Sequence, residues 1–530
     1  MKIFGPKRNW QSGRRLGSAL LLAICLALSA RRGRAQAAGQ EDLAQRVKQL
    51  TDAMAKTQAQ VEESQRELDE MRKELIELQR QMGQAVPATE APSTAPAESS
   101  SASSDAAAES MQNAIDDIRE HQAIDESEIA THEQTKVESE SKYPVKITGM
   151  LLLNGFVNTR AVDTAATPSV AVSGSGSVGA SVRQTMLGFD AWGPHLFGAR
   201  SFGDLRVDFY GYTAANTNTT TTSYSGQNPS TAFLRLRTAH AGLYWDRTQV
   251  YFALDRPIIN PDTPTSLTAV AEPALAWSGN LWTWNPQAVV ASKLGRPESD
   301  GVQLQAALID AGDAPLTPPV LPTSPPGVTP PSNAEQSSRP GVEARIALVG
   351  SGREEDRNHL GLGGYFAPHQ SALGRSYDSW AGTMDARMLL YTHLQFTGNF
   401  YRGLALGGLG EGGYKDFAYI RNPLTGGYYF RALNDVGGWT QLKERVNERL
   451  EFNEAYGMDN VFAYDLRSYF APGGSMIENL ARNRTFTGNV IYSPSAYLLF
   501  SLEYRHLDSY PVTGSAAQSD VIGIGAGYKF

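Results

Sequence analysis

The chain ends in Asp520-Val521-Ile522-Gly523-Ile524-Gly525-Ala526-Gly527-Tyr528-Lys529-Phe530, in which apolar residues alternate with small or polar ones. Because successive side chains of a β-strand point to opposite faces, a strand here divides its residues between two different surfaces. One face carries Ile522, Ile524, Ala526, Tyr528 and Phe530, whereas the opposite face carries Gly523, Gly525, Gly527 and Lys529. This stretch predicts a strand with an apolar face that ends in an aromatic residue.

The same alternation recurs from residue 145 to the C-terminus and predicts sixteen strands. They span 145–161, 182–192, 203–212, 233–244, 248–255, 286–296, 299–310, 341–350, 357–366, 377–389, 391–402, 438–446, 448–456, 482–492, 496–507 and 518–530. Tight turns are expected at Asp246-Arg247 and Pro297-Glu298. A further turn is placed near Leu390, although no turn-forming residue lies there, because residues 377–402 are too long for one strand.

The predicted loops are alternately long and short along the chain, which is the pattern of a transmembrane β-barrel. The alternative, a soluble β-sandwich, gives no reason for this alternation. In lipid, the apolar faces of the strands point outward and the polar faces line a water-filled lumen. We therefore expect residues 143–530 to form an all-β transmembrane barrel of about 16 antiparallel strands, preceded by an α-helical coiled coil.

The N-terminus has the features of a secretory signal peptide over residues 1–37. Five basic residues precede the apolar run 16–28, and Ala35-Gln36-Ala37 supplies a cleavage site. The apolar run is too short to span a membrane. Cleavage would remove Cys25, the single cysteine of the chain, and with it any disulfide or thiolate zinc site. The net charge of −8 argues against nucleic acid as a partner.

Residues 38–86 predict a periplasmic coiled coil, and residues 87–142 a flexible linker with one short helix. Apolar side chains of the first segment recur at alternating steps of four and three, which places them on one narrow seam. The seam contains Val47, Leu50, Met54, Val61, Leu68, Met71, Leu75, Leu78 and Met82. A coiled coil needs partner helices, so we expect a homo-oligomer and favour a trimer. The alternative is an amphipathic helix that lies on the chain's own barrel.

Charged side chains on the polar faces of the strands, together with the long loop 256–285, are candidates for lining the lumen. On the strands they are Arg206, Asp208, Arg235, Arg237, Asp255, Arg387, Lys443, Arg445, Arg449, Glu451 and Arg505. In the loop, which we expect to fold into the lumen and constrict it, they are Asp262, Glu272, Trp277, Trp282 and Trp284. The excess of cations favours a mild preference for anions. For the arginines, the alternative is salt bridges that only stiffen the wall. For the loop, it is a surface position with the tryptophans at the membrane interface or at a subunit boundary.

No pattern of catalytic or metal-binding residues accompanies these features. The sequence lacks a G-x-S-x-G elbow, an H-E-x-x-H motif and a Walker loop, and its eight histidines are scattered. The glycine-rich run from Gly407 to Gly413 lies in a predicted outer loop, where flexibility or a close backbone approach explains it better than phosphate binding. We therefore expect neither an enzyme nor a metal or other cofactor.

Two segments resemble the DcaP-like trimeric porins, outer-membrane porins with an N-terminal periplasmic coiled coil. The first runs from Glu133 to Tyr143, directly before the first strand, and the second runs from Asn399 to Gly410. The resemblance implies a trimer in the outer membrane of a Gram-negative bacterium, with its coiled coils bundled in the periplasm. It also implies passive diffusion of small, often negatively charged solutes such as dicarboxylates.

From the residues and the resemblance together, we expect an outer-membrane porin for small hydrophilic solutes, embedded in outer-membrane lipid and mildly selective for anions or carboxylates. One alternative is a substrate-specific channel, for example for carbohydrates, in which Trp277, Trp282 and Trp284 form a stacking platform. A second alternative is an envelope-tethering structural protein whose barrel is an anchor and whose stalk reaches towards the cell wall.

Overall fold

The computed structural model describes residues 145–211, 233–296, 299–316, 331–351, 357–470 and 474–530. The predicted signal peptide, coiled coil and linker lie outside these residues, as does the predicted turn at Pro297-Glu298. Most of the described residues belong to strands, and the helices among them are single turns. No helix in the described part of the chain is long and apolar enough to cross a membrane.

The described residues contain nineteen strands. They are β1 (Val145–Val162), β2 (Ala171–Ser181), β3 (Met186–Leu196), β4 (Ala199–Gly211), β5 (Phe233–Tyr244), β6 (Thr248–Asp255), β7 (Asn285–Leu294), β8 (Gly301–Ile309), β9 (Gly341–Val349), β10 (His359–Gln370), β11 (Ser376–Leu389), β12 (Leu394–Leu404), β13 (Phe417–Arg421), β14 (Tyr428–Ala432), β15 (Asn434–Asn447), β16 (Leu450–Val461), β17 (Leu480–Tyr492), β18 (Leu498–Pro511) and β19 (Ala517–Lys529). The short helical turns are Asn333–Gln336, Gly407–Leu409, Gly412–Tyr414, Ala463–Leu466 and Arg467–Tyr469.

Seventeen of these strands form one antiparallel sheet that closes on itself, while β13 and β14 form a separate hairpin. The sheet closes where β1 pairs with β19, from Met150 opposite Lys529 to Asn158 opposite Val521. On its other side β1 pairs with β3 along its first half and with β2 along its second half. β2 and β3 therefore occupy one position in the wall, which gives a barrel of sixteen strand positions and confirms the predicted antiparallel barrel.

The sequence predicts a loop over residues 162–181, and this prediction is wrong because β2 occupies most of that segment. β2 is rich in glycine and serine, so its side chains carry little apolar alternation, while its backbone pairs with β1. A Cβ at Gly176 would lie 2.2 Å from the carbonyl oxygen of Asn158, so the two backbones approach closely. The second strand is predicted at 182–192, whereas the corresponding strand of the structure, β3, lies a few residues later. The segment 403–437, which is predicted as a loop, contains the β13–β14 hairpin.

Short turns join the strands at the end of the barrel where β1 begins and β19 ends. The predicted turn near Leu390 is confirmed: Tyr391 and Leu394 exchange backbone hydrogen bonds, both of 3.3 Å. The predicted turn at Asp246-Arg247 is confirmed in the same way by bonds of 2.8 and 3.3 Å between Trp245 and Thr248. The longer connections lie at the opposite end, as the sequence predicts.

The two faces of the wall have opposite chemistry. On β9, Val342, Ile346 and Leu348 point outward and are 46%, 51% and 61% exposed, whereas Glu343 and Arg345 point inward and are 3% and 5% exposed. A protein folded in water would place these residues the other way round. The outer surface is therefore that of a barrel that spans a lipid bilayer.

The last strand, β19, also has its large apolar residues on the outer surface. Ile522, Ile524, Tyr528 and Phe530 are all exposed on the outer surface, on the face that the sequence predicts. The backbone of Phe530 exchanges two hydrogen bonds with Gly149 of β1, at 3.0 and 3.1 Å. Its ring lies over Gly149, where a Cβ would approach the ring to 2.4 Å. The C-terminal residue thus completes the junction that closes the barrel.

Candidate functional site: the barrel lumen

The loop between β6 and β7, residues 256–284 and hereafter the inner loop, lies inside the barrel. Near its start, the Ile258 N–H donates to the Glu343 carboxylate on β9 at 2.7 Å. The Ile259 carbonyl accepts from Thr383 on β11 at 3.1 Å and from Asn399 on β12 at 3.0 Å. These bonds attach the first part of the inner loop to the inner face of β9–β12.

The middle of the inner loop reaches a different part of the wall. The Asn154 amide on β1 donates to the Leu267 carbonyl at 2.9 Å. Thr268 donates to the Glu503 carboxylate on β18 at 2.7 Å, and Gln184, between β2 and β3, donates to the Thr268 carbonyl at 2.9 Å. Because several strands separate β9–β12 from β18, β19 and β1 in the closed wall, the inner loop crosses the lumen between them.

The last part of the inner loop returns along a section of wall built from glycine. Gly279 has a φ of 103°, in the region that favours glycine, and a Cβ there would lie 2.1 Å from the Gly438 carbonyl oxygen. A Cβ at Gly457 on β16 would likewise lie 2.1 Å from the Ser278 carbonyl oxygen. The loop and wall therefore meet backbone to backbone, which only glycine permits at these positions.

A second loop, residues 405–416 and hereafter the glycine loop, is buried against the inner loop. Its Leu409 carbonyl accepts from the backbone N–H of Trp282 at 3.1 Å, and its Gly408 carbonyl accepts from the Thr283 hydroxyl at 2.8 Å. A Cβ at Gly408 would lie 2.2 Å from the Gly312 carbonyl oxygen. Of the two explanations considered for this glycine-rich run, close backbone approach is the one the structure supports.

Buried ionisable side chains hold the glycine loop in place. The carboxylates of Asp435 and Asp459 accept from the Gly412 and Gly413 N–H groups at 3.0 and 2.8 Å. The Lys415 ammonium donates to the Gly413 carbonyl at 2.5 Å. Burial lowers the pKa of Lys415 to about 7, so this amine is partly uncharged at neutral pH. These groups are enclosed by protein, so their role is to fix the loop.

The predicted residues Arg235, Arg237 and Asp208 form one cluster on the inner face of β4 and β5. The two arginines lie 2.6 and 3.3 Å from the Asp208 carboxylate. The Asp208 side chain is 0% exposed, whereas those of Arg235 and Arg237 are 24% and 13% exposed. Both guanidinium groups lie over the ring of Trp284 in the inner loop, at 5.1 and 4.9 Å from its centroid. The cations of this cluster face the lumen, and the carboxylate lies behind them.

The inner-loop residue Asp262 belongs to a second charged cluster, on β9–β11. It forms an ion pair with Arg387 and lies 3.1 Å from the His359 imidazole. His359 also lies 3.3 Å from Asp385, which pairs with Arg345 at 2.5 Å. Although burial disfavours its charged form, the neighbouring His359 imidazole and the charge of Arg387 hold the pKa of Asp262 below its usual range. This cluster ties the inner loop to the wall.

The predicted residues Arg206 and Arg505 each have an acidic partner on the wall. Arg206 on β4 pairs with Asp190 on β3 at 2.6 Å. Arg505 on β18 pairs with Glu503 at 2.5 Å, and both of these side chains are buried beneath the inner loop. Arg206 and Arg505 therefore fit the alternative hypothesis, in which the arginines form salt bridges with neighbouring carboxylates of the wall.

The predicted residues Lys443, Arg445, Glu451 and Arg449 lie towards the end of the barrel with the short turns. Lys443 and Arg445 on β15 both contact the Glu451 carboxylate on β16, at 3.4 and 3.6 Å. Arg449 is exposed in the turn between β15 and β16. Its prediction as a residue of the pore wall is corrected by this position, because β16 begins only at Leu450 and the alternation that placed Arg449 inward does not yet apply.

The two remaining predicted acids, Asp255 and Glu272, contribute differently to the charge of the lumen. Asp255, at the end of β6, lies 3.1 Å from the His240 imidazole. Glu272 in the inner loop is enclosed, and burial, reinforced by the neighbouring Asp163 carboxylate, raises the pKa of Glu272 to about 8. At neutral pH Glu272 is therefore mostly protonated and adds little negative charge.

The inner-loop tryptophans pack mainly against protein. Trp277 stacks on Tyr414 of the glycine loop with ring centroids 3.9 Å apart, and Trp282 meets both Trp277 and Trp284 edge to face. Trp277 and Trp282 are 5% and 9% exposed. They do not present open ring faces, so the predicted stacking platform is corrected for these two residues. Trp284 is half-buried beneath the two arginines.

Several inward-facing polar residues beside the inner loop have no place among the sequence-based predictions. They are Asn154, Arg183, Gln184, Glu343, Arg345, Asp385, Asn399, Gln441 and Glu503. Glu343 and Arg345 alternate with apolar residues along β9, so the same parity rule could have found them. Arg183 and Gln184 lie in the break between β2 and β3, where no alternation marks them. The described residues contain no cluster of side chains suited to holding a metal ion.

No protein-family model and no curated protein matches this chain. The outer-membrane channel DcaP of Acinetobacter baumannii is similar in structure, with a TM-score of 0.50 and 15% identity over 73% of this chain and 97% of that chain. The anion-selective porin from Comamonas acidovorans has a TM-score of 0.42 and 10% identity, over 73% of this chain and 100% of that chain. Salmonella typhi OmpF, in complex with daunomycin, has a TM-score of 0.43 and 11% identity, over 73% and 98%. At these identities the likeness to DcaP shows the fold alone: the described residues form the sixteen-stranded barrel of the outer-membrane porins.

Proposed function

We propose that this protein is an outer-membrane porin through which small hydrophilic solutes diffuse passively, with a mild preference for anions and carboxylates. The porin fold, the apolar outer surface and the polar inner surface support a channel. The inner loop narrows the lumen, so the residues beside it decide which solutes pass. No part of this role requires a cofactor or a catalytic residue.

The observation that carries the anion preference is the placement of charge in the Arg235, Arg237 and Asp208 cluster. Two guanidinium groups share one carboxylate, and the carboxylate is the buried member. In the second cluster, too, the cation is more exposed than the acid: Arg387 is 19% exposed and its partner Asp262 is 3% exposed. A passing solute therefore meets positive charge first at both clusters, which attracts carboxylates and repels cations.

The reversal potential across a planar bilayer with a salt gradient tests this preference. The wild-type channel is expected to pass chloride more readily than potassium. Arg235→Gln removes one of the two cations and leaves Arg237 to neutralise Asp208, so the reversal potential should move towards that of a non-selective pore. Arg421→Gln, on the exposed hairpin strand β13, is the matched control and should leave the reversal potential unchanged. A cation-selective wild-type channel would refute the role given to the arginines.

We propose further that the protein is a member of the DcaP-like porins and a trimer, with residues 38–86 as a periplasmic coiled coil. The heptad seam of that segment supports self-association. Mass measurement of the detergent-solubilised protein, with and without residues 38–86, tests the trimer and the contribution of the coiled coil to it. A trimeric full chain is expected, and a monomeric one would exclude the trimer.

A further inference from the structure

Four aromatic rings form a continuous row on the inner wall of β3–β6. Trp192 on β3 lies 6.1 Å from Phe202 on β4, and Phe202 lies 6.3 Å from Tyr251 on β6. Tyr251 in turn lies 5.9 Å from the imidazole of His240 on β5. The rings lie on the same face of the wall as the acids Asp190, Asp204 and Asp255. These acids form ion pairs with Arg206 and His240 on the inner face, so the rings point inward as well. We call this row the aromatic wall.

A glycine makes the aromatic wall continuous. β5 lies between β4 and β6, and its residue opposite both Phe202 and Tyr251 is Gly242. A Cβ at Gly242 would lie 2.3 Å from the Val250 carbonyl oxygen and 2.4 Å from the Cβ of Tyr251. Because β5 has no side chain at this point, the rings of β4 and β6 meet across it. The row is thus a built surface rather than a chance group of exposed rings.

Trp192 and Phe202 of the aromatic wall line a cavity of about 700 Å³ at the end of the barrel with the short turns. Trp192 and Tyr244, which line it, are 44% and 41% exposed. Arg200 stacks on Trp192 at 4.5 Å from the ring centroid and so limits the movement of that ring. A cavity of this size accommodates a molecule of one to three rings. In contrast to Trp277 and Trp282, these rings remain accessible to a solute.

Polar groups with free hydrogen-bonding capacity border the same cavity. Asp190 is held by Arg206 at 2.6 Å and Asp204 by His240 at 3.0 Å, and these two acids are 27% and 25% exposed. Each carboxylate keeps lone pairs for a further donor, while its ion pair fixes its direction. Lys146 on β1 lies beside them in the cavity lining. Accessible rings next to oriented carboxylates suit a solute that has an apolar face and hydroxyl groups at its edge.

We propose that the aromatic wall binds neutral sugars on their way through the lumen. The C–H groups on one face of a pyranose ring pack against the negatively polarised face of an aromatic ring, and its hydroxyls donate to carboxylates. The carboxylates that border the row can accept from hydroxyl groups, whereas the arginines that face the lumen in the Arg235 and Arg237 cluster can only donate. The proposal rests on the proposed porin function, because a sugar reaches the aromatic wall only from the lumen.

Block of ion current by maltotriose in planar bilayers tests this inference. The wild-type channel should show a saturable decrease in current as maltotriose is added to both sides. Trp192→Ala should weaken the apparent affinity about tenfold, which is the scale of one lost ring contact. Phe202→Leu removes a ring with a smaller change in volume and should act in the same direction. Trp380→Ala, on the outer surface, is the matched control and should leave the block unchanged.

The outcomes separate this inference from the porin function. A wild-type channel that conducts but is not blocked by maltotriose would overturn the sugar site and leave the porin intact. Equal block in the wild type, Trp192→Ala and Phe202→Leu would also overturn it, since the rings would then contribute nothing. Block by benzoate but not by maltotriose would assign the wall to aromatic acids instead. A wild-type barrel without any current would refute the porin function itself.

Discussion

Gly279 illustrates how single residues set the distance between the inner loop and the wall. Its backbone adopts a φ of 103° and lies against Gly438, with no space for a Cβ at the contact. The sequence contains 50 glycines and gives no sign that these two meet, because they are far apart along the chain. The requirement for glycine here comes from tertiary contact and not from local turn chemistry.

Gly279→Ala is therefore expected to displace the inner loop and to destabilise the barrel by about 1–3 kcal/mol, the usual scale of backbone strain. Single-channel conductance and the urea midpoint of unfolding measure the two effects. Gly374→Ala is the matched control, since Gly374 has a φ of 74° but no atom within 4 Å of its Cβ position. Equal changes for the two variants would show that the contact with Gly438 does not matter.

Most of the charged residues selected by strand parity, including Arg235, Arg237 and Asp208, lie on the inner face of the wall, and their role in lining the pore stays a prediction. Strand parity does not show that Asp208 lies behind the arginines, because depth depends on the neighbouring strand and on the contact of the arginines with Trp284. Parity also fails at Arg449, because the strand predicted to contain it begins only at Leu450. Side-chain direction is a local property, whereas exposure is set by partners distant in sequence.

The inner loop is the element on which passage through the lumen depends. It is attached at its start to β9–β12, at its middle to β18 and β1, and at its end to the glycine section of β15 and β16. The Asp262 cluster adds an ion pair with Arg387 to these attachments. A loop fixed at several separate places holds one position without help from a bound ligand.

Asp262→Ala is expected to free the first part of the inner loop, because Arg387 and His359 lose their common partner. The single-channel conductance should rise, and the open-channel current should become noisier as the loop moves. Asp378→Ala, an exposed position on β11, is the control and should behave as wild type. Unchanged conductance and noise in Asp262→Ala would show that this cluster does not hold the loop.

Strands with apolar alternation are predicted from the sequence to within a few residues, as at β5, β6 and β9. Their faces differ in polarity, so the pattern of side chains carries the signal. β2 is missed because glycine and serine have no such contrast, and its strand forms through backbone pairing with β1. The position of the inner loop along the chain is enough to predict that it folds into the lumen. Its individual contacts are not predictable, because each one joins distant parts of the chain.

At the scale of the whole molecule, the inverted distribution of polarity distinguishes this barrel from a soluble sheet. Isoleucine, leucine and valine cover the outer surface of β9, while acids and arginines fill the interior. Such a surface is stable in a bilayer and would aggregate in water. The closed wall also leaves no edge strand between β19 and β1, where Phe530 bonds to Gly149.

Ile346→Arg tests the lipid-facing surface, because it places a charge in the middle of β9 on the outer face. It should destabilise the barrel in lipid vesicles by about 2–4 kcal/mol, as measured by urea unfolding. Ser376→Arg, an exposed outer position at the long-loop end of β11, is the control and should cost about 1 kcal/mol or less. Equal effects would mean that residue 346 does not face the hydrocarbon.

The central claim is that the lumen, although the inner loop crosses it, is a water-filled path from one side of the membrane to the other. Single-channel recording of the purified full-length protein in a planar bilayer tests it most directly. The account predicts stepwise increases in current as channels insert, with a conductance that changes in Gly279→Ala and Asp262→Ala. Folded protein that inserts into the bilayer without any stepwise current would contradict it and would favour a barrel that serves only as an anchor.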